Sequence, residues 1–174
     1  ALAAGLILLF FHAISKALLF LVVGVIKKEM GTENIDAMTA LIDRMPSMTI
    51  ALAVGVFTVV LPPFGMFASK LLISESVLSF PILAFLLGAG FATTVAYYTK
   101  WLGVTLSSSA FGGPSMVGEK IPRLFSYTIG ALVAGAIAMS LLIGALITYL
   151  FNPFLGRFYT VPGSESFSLF DALG

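Results

Sequence analysis

FFHAISKALLF, Phe10 to Phe20, places a histidine and a lysine one helical turn apart inside an apolar run that extends from Ala1 to Ile26. No other residue of that run is ionisable, and His12 is the only histidine in the chain. A run of this length meets the roughly 20 apolar residues that a transmembrane helix needs. His12 and Lys16 are then either tolerated in lipid or used there, and that alternative decides what kind of membrane protein this is.

Composition agrees on the solvent. The 174 residues are 59% hydrophobic and 10% charged, against about 25% charged in a soluble domain, and the mean hydropathy is +1.09. Backbone polar groups must be satisfied internally in a bilayer, so the expected fold class is an all-α integral membrane helix bundle. A net charge of +1 gives no reason to expect nucleic acid. The absence of cysteine excludes disulfides, thiolate metal sites and iron–sulfur ligation by this chain, and a single histidine argues against protein-borne zinc or haem. Ala1 stands inside an apolar run, with no initiator methionine, basic n-region or small-residue cleavage site. The chain is therefore expected to be an excerpt of a longer membrane protein.

Working outward, the first span is expected at about 1–26. KKEMGTENIDAMTALIDRMPS (Lys27–Ser47) reads as an aqueous loop with a short helix in it. A second apolar run, 48–79, is about 48 Å long if wholly helical, too long for one straight span and too short for two. LPPFG (Leu61–Gly65) interrupts it near the middle. Pro62 and Pro63 lack an N–H and clash with the preceding turn, and Gly65 loosens the chain further, so one broken span is expected. Further spans are expected at 82–107 and 128–151, separated by the Ser/Gly/Pro loop that follows Ser107. Residues 152–174 are mixed in character and read as an interfacial segment. If the spans alternate, Lys27, Lys28, Arg44, Lys120 and Arg123 share one side with Lys100 leaning towards it, and Arg157 lies on the other. The positive-inside rule makes the first side cytoplasmic.

The charges within the spans separate into two kinds. Lys100 lies near the end of its span beside Tyr97, Tyr98 and Trp101, which suits a snorkelling lysine in an aromatic belt. Lys16 is ten residues, about 15 Å, from Ile26 and further from Ala1, beyond the reach of its stem. Lys70 has the same problem, ten residues before Phe80 and beyond the Pro-Pro break. A charge at that depth costs a few kcal/mol or more, so both lysines imply a polar, hydrated interior. Desolvation disfavours an ammonium, and a buried lysine can then change charge near neutral pH. His12 precedes Lys16 by four residues, so the two share a helix face with Cβ atoms about 6 Å apart, and an imidazole can pass a proton through its two nitrogens. Ser69 and Ser74 can support water or a relay. Glu75 is five residues from Lys70, on a different face; it either meets another helix or sits near the outer interface.

HAISKALLF (His12–Phe20) resembles the HAxxKAxLFL helix of the antiporter-like subunits of respiratory complex I and of Mrp cation/proton antiporters. LPPFGMFASK (Leu61–Lys70) is similar to the broken helix that follows it in those subunits, and the order and separation match over most of the chain. PPFGMFASK with YYTKWLG (Tyr97–Gly103) looks closest to the large membrane subunit of Ech-type energy-converting [NiFe] hydrogenases. The resemblance implies an inverted-repeat fold, of which residues 1–151 would be the C-terminal part. It implies that Lys16 is the bridging lysine of a hydrophilic axis, Lys70 the broken-helix residue towards the exit, and His12 a relay. It departs from the pattern at Leu8, where some members have a second histidine. The first repeat's glutamate–lysine pair is not in this chain.

The function so implied is translocation of protons, with sodium as the alternative ion, in a redox-driven complex of a prokaryotic cytoplasmic membrane, with other membrane subunits and a peripheral redox arm as partners. [NiFe] and iron–sulfur clusters are expected in those partners and no cofactor in this chain. The alternatives are a stand-alone Mrp-type antiporter subunit and a structural membrane scaffold.

Overall fold

The computed structural model describes residues 2–61, 64–107 and 121–158. Among the described residues the chain is helical, with turns and no strand, and four helical stretches are long and apolar enough to cross a membrane. Residues 108–120, the 159–174 part of the expected interfacial segment, and Pro62 and Pro63 lie outside the described residues.

Helix α1 is Leu2–Met30 and runs four residues beyond the apolar stretch. Lys27 and Lys28 in its last turn suit the negative end of the helix dipole. Gly31 then takes a φ of 66° and donates its N–H to the Lys27 carbonyl at 2.9 Å, a left-handed stop that favours glycine. The loop after it contains a 3-10 turn, Ile35–Ala37, whose Asp36 N–H is capped by the Asn34 side chain at 3.0 Å. A short α2, Leu41–Arg44, follows.

Helix α3, Pro46–Val60, starts on a proline, where a missing N–H costs nothing. Leu61 and Phe64 are both extended, and α4 begins at Gly65 and ends at Val77. The interruption is thus visible on both flanks of the Pro-Pro pair. Helix α5, Pro81–Leu106, again starts on proline. Ala40 N–H donates to the Ser107 carbonyl at 2.9 Å, so the 31–45 loop and the C-terminal end of α5 meet at one end of the bundle.

The last span differs from expectation at both ends. Helix α6 is Arg123–Leu141, starting directly after Pro122. It then bends at Leu142, with φ −91° and ψ 13°, into α7 (Ile143–Leu146), a π turn (Ile147–Phe151) and α8 (Asn152–Phe158). Near this bend the Ser140 hydroxyl donates back to the Ala136 carbonyl at 2.7 Å, a bond that loosens a helix locally.

Helix α1 is the centre of the bundle and packs against α3, α4 and α6, whereas α5 leans on α3 and α4. Phe11, Ser15, Leu18, Val22 and Ile26 are buried at helical spacing along α1, facing Leu52, Val56 and Val59 of α3 in the same core. Lipid is as apolar as leucine, so such a contact depends on close packing and interhelical hydrogen bonds. Gly55 supplies the first: a Cβ there would come within 2.8 Å of Leu19 Cδ2. Ser15 and Thr58 supply the second, joined at 2.9 Å between buried hydroxyls.

Candidate functional site

The proline pair creates the site by what it cannot donate. In a continuous helix the Val59 carbonyl would accept from the N–H of residue 63, and Pro63 has none. The Lys70 Nζ reaches back across the break and donates to the Val59 oxygen at 3.3 Å. The same amine stands 5.2 Å from the centroid of the Phe91 ring on α5, within cation–π range. The other side of the break also finds a partner. Gly65, at the start of α4, donates its N–H to Ser140 Oγ of α6 at 3.3 Å, and both groups are buried. Such backbone is stable at membrane depth only where protein or water receives it. Gly65 also admits α1: a Cβ there would clash with three ring carbons of the buried Phe11.

Between α1, α4 and α5 the packing opens into a cavity of about 570 Å³, whose polar lining is His12, Lys16, Lys70, Thr93, Thr94 and Tyr98, with Tyr97 at its edge. The cavity brings together the histidine and both lysines singled out from the sequence. Lys16 is half-buried and donates from Nζ to the Tyr98 hydroxyl at 3.3 Å. His12 is exposed in this chain, one turn along the same face. Thr93 and Thr94 turn their hydroxyl protons to the Ala89 and Gly90 carbonyls at 2.9 and 2.8 Å, which leaves oxygen lone pairs as acceptors. No carboxylate is among the described residues lining this cavity, so its two lysine amines have the Tyr98 hydroxyl, the Val59 carbonyl and the Phe91 ring as partners in place of counter-ions.

A second cavity, of about 360 Å³, lies towards the loop end and is lined by Lys16, Tyr97, Tyr98 and Trp101, with Lys27 and Glu33 at the charged end. Lys27 and Glu33 form an ion pair at an exposed position. The hydrogen bond and the charge of Lys27 hold the Glu33 carboxyl below its ordinary range.

The other residues expected to support the site lie off it. Ser69 is fully buried and donates to the Gly65 carbonyl at 2.6 Å, stabilising the first turn after the break. Ser74 donates to the Lys70 carbonyl at 2.9 Å, a bond within its own helix. Glu75 is exposed and makes no ion pair among the described residues. Sequence reasoning missed Tyr98, reading it only as part of an aromatic belt. A signal was present: Tyr98, Trp101 and Thr105, at helical spacing, are the buried residues of α5. Ser140 was also missed, since nothing near it in sequence points to a break in another helix.

This arrangement defines a class: a multi-pass helical membrane protein that brings two half-buried lysines to one cavity beside an interrupted helix. The family model described as NADH:quinone oxidoreductase/Mrp antiporter, TM, matches residues 1–96, over half of the chain, and the chain belongs to that family of antiporter-like membrane subunits. No curated protein gives a match.

Proposed function

We propose that this chain carries protons through its interior by way of Lys16 and Lys70, with His12 as a relay, as a subunit of a redox-driven complex in a prokaryotic cytoplasmic membrane. The observation that carries this reading is the shared cavity of about 570 Å³, which both lysines and His12 line. Two like charges there repel, so a proton arriving at one favours departure from the other, and charge can move stepwise. Lysine suits this role because it can release its proton once desolvated, which arginine scarcely does.

The narrower assignment, to the large membrane subunit of an Ech-type hydrogenase, rests on PPFGMFASK (Pro62–Lys70) and YYTKWLG (Tyr97–Gly103). On that reading, other membrane subunits and a peripheral arm holding [NiFe] and iron–sulfur clusters complete the machine. This chain has no cysteine with which to ligate such clusters itself. Sodium in place of the proton, a stand-alone antiporter and a membrane scaffold are the other outcomes of the test.

The test is proton flux across proteoliposomes of the whole assembly, with pH- and sodium-sensitive dyes inside. Lys16→Arg keeps the charge and is expected to abolish most of the proton flux. Normal flux with arginine at position 16 removes the titration of Lys16 from the mechanism. Co-purification with [NiFe] and iron–sulfur subunits favours the redox pump, and their absence from an active assembly favours the antiporter.

A further inference from the structure

We propose that Tyr98 is a positioning residue for Lys16, holding its amine where two cavities meet so that Lys16 can exchange protons with each in turn. The inference rests on the reading of Lys16 given above and adds a residue on a different helix to it.

The geometry is specific. Lys16, Tyr97 and Tyr98 belong to the walls of both cavities. His12 and Lys70 line only the larger one, and Lys27, Glu33 and Trp101 only the smaller, loop-end one. A proton passing from the loop end to Lys70 therefore has Lys16 and two tyrosines at the crossing. Of the two, Tyr98 is the one in contact with the amine. Its hydroxyl accepts from Lys16 Nζ at 3.3 Å, and the amine lies 6.0 Å from its ring centroid.

Tyr98 is also held firmly, as a positioning residue must be. It is 6% exposed on a helix that otherwise presents most of its surface outward. Its ring packs at 71° against Tyr97 and lies 6.1 Å from Trp101. A phenol is both donor and acceptor. It can accept from the ammonium form of Lys16 and donate to the neutral amine, so it serves both charge states without moving. No aliphatic or simple aromatic side chain can do that.

The experiment compares Tyr98→Phe, Tyr98→Leu and Lys16→Ala in the whole assembly, measuring proton flux per assembled complex across proteoliposomes over a range of pH. Tyr98→Phe keeps the ring and removes only the hydroxyl. We expect flux to fall roughly tenfold, the scale of one hydrogen bond to a charged group, with Tyr98→Leu no worse than about twofold beyond it. The pH profile of Tyr98→Phe should differ in shape from that of the parent, because the two charge states of Lys16 lose different bonds. Full flux in Tyr98→Phe with loss only in Tyr98→Leu overturns the inference, since the ring alone then matters. A uniformly lower flux with an unchanged pH profile overturns it too, as the mark of a packing defect. Lys16→Ala separates the two levels: if it retains full flux, the reading of Lys16 itself fails. If it is inactive while Tyr98→Phe is normal, only the role of Tyr98 fails.

Discussion

Helices α1 and α5 look alike in sequence and differ in everything the fold does with them. They are 29 and 26 residues long, and each carries a lysine inside its hydrophobic stretch. Helix α1 is the hub of the bundle, with Lys16 half-buried on a cavity wall. Helix α5 is peripheral, and Lys100 is exposed near its end. Neither is amphipathic enough for hydropathy to say which face turns inward. Small residues and hydrogen-bonding side chains on the neighbours make the difference, as they must where lipid and leucine are equally apolar. Gly55, Gly65 and Thr58 all address α1. The comparison teaches that a lysine in a span is judged by the helix it faces, and only secondarily by its depth.

The largest expected effect tests that contrast directly. Lys16→Ala should lower proton flux in the reconstituted assembly by at least about a hundredfold, while Lys100→Ala should leave it within about twofold. The reference for both is that surface substitutions away from specific contacts are worth within about 0.5 kcal/mol. Equal losses from the two variants would erase the distinction between hub and periphery.

A smaller effect is expected from packing. Gly65→Ala drives a methyl group into the Phe11 ring, which already meets Phe10 edge-on at 5.6 Å, so the ring cannot yield freely. It should destabilise the bundle by about 1–3 kcal/mol, the usual cost of overpacking. Gly88→Ala on α5 meets no neighbour within 4 Å and should be neutral or slightly stabilising. Thermal unfolding in detergent, followed by helical circular dichroism, ranks the two. A Gly65→Ala variant as stable as its parent would show that α1 and α4 are not locked at this point.

The smallest effect belongs to the Lys27–Glu33 pair at the end of α1. Glu33 has a lowered pKa in the folded chain, so the pair's contribution is complete above the ordinary glutamate value near 4.3. It is lost as pH falls through the lower folded value. Both side chains are exposed and screened by salt, so the effect is minor at neutral pH. Protease cleavage in the 31–45 loop should be insensitive to pH from about 6 to 8 and should speed up only in acid, well below that reference value. Glu33→Gln should remove this acid sensitivity. A dependence near neutral pH would point to another group at this end of the bundle.

Much of the architecture was legible because it follows from local chemistry. Twenty or more apolar residues ask for a span, and two prolines without N–H groups ask for a break, wherever the chain is placed. His12 and Lys16 share a face because four residues make about one turn of a helix. The extra turn of α1 through Lys27, Lys28 and Met30 was not read, because charged residues at a C-terminus can extend a helix as readily as end it. The bend at Leu142 was not read either, since the stretch around it is apolar but for Ser140 and its break has no proline.

By itself, then, the sequence determined the solvent, the helices, the interruption, and which ionisable residues stand far from the ends of their spans. Only the tertiary structure decided which partners those residues have. Val59 becomes an acceptor for Lys70 because that side chain reaches back across the break, and Ser140 closes the other side from a helix 75 residues away. Tyr98 meets Lys16 from 82 residues away, while the nearby Lys100 points elsewhere. The reason is physical: spacing along a helix sets which residues share a face, but the neighbour that covers that face is chosen by long-range packing, which no local pattern encodes.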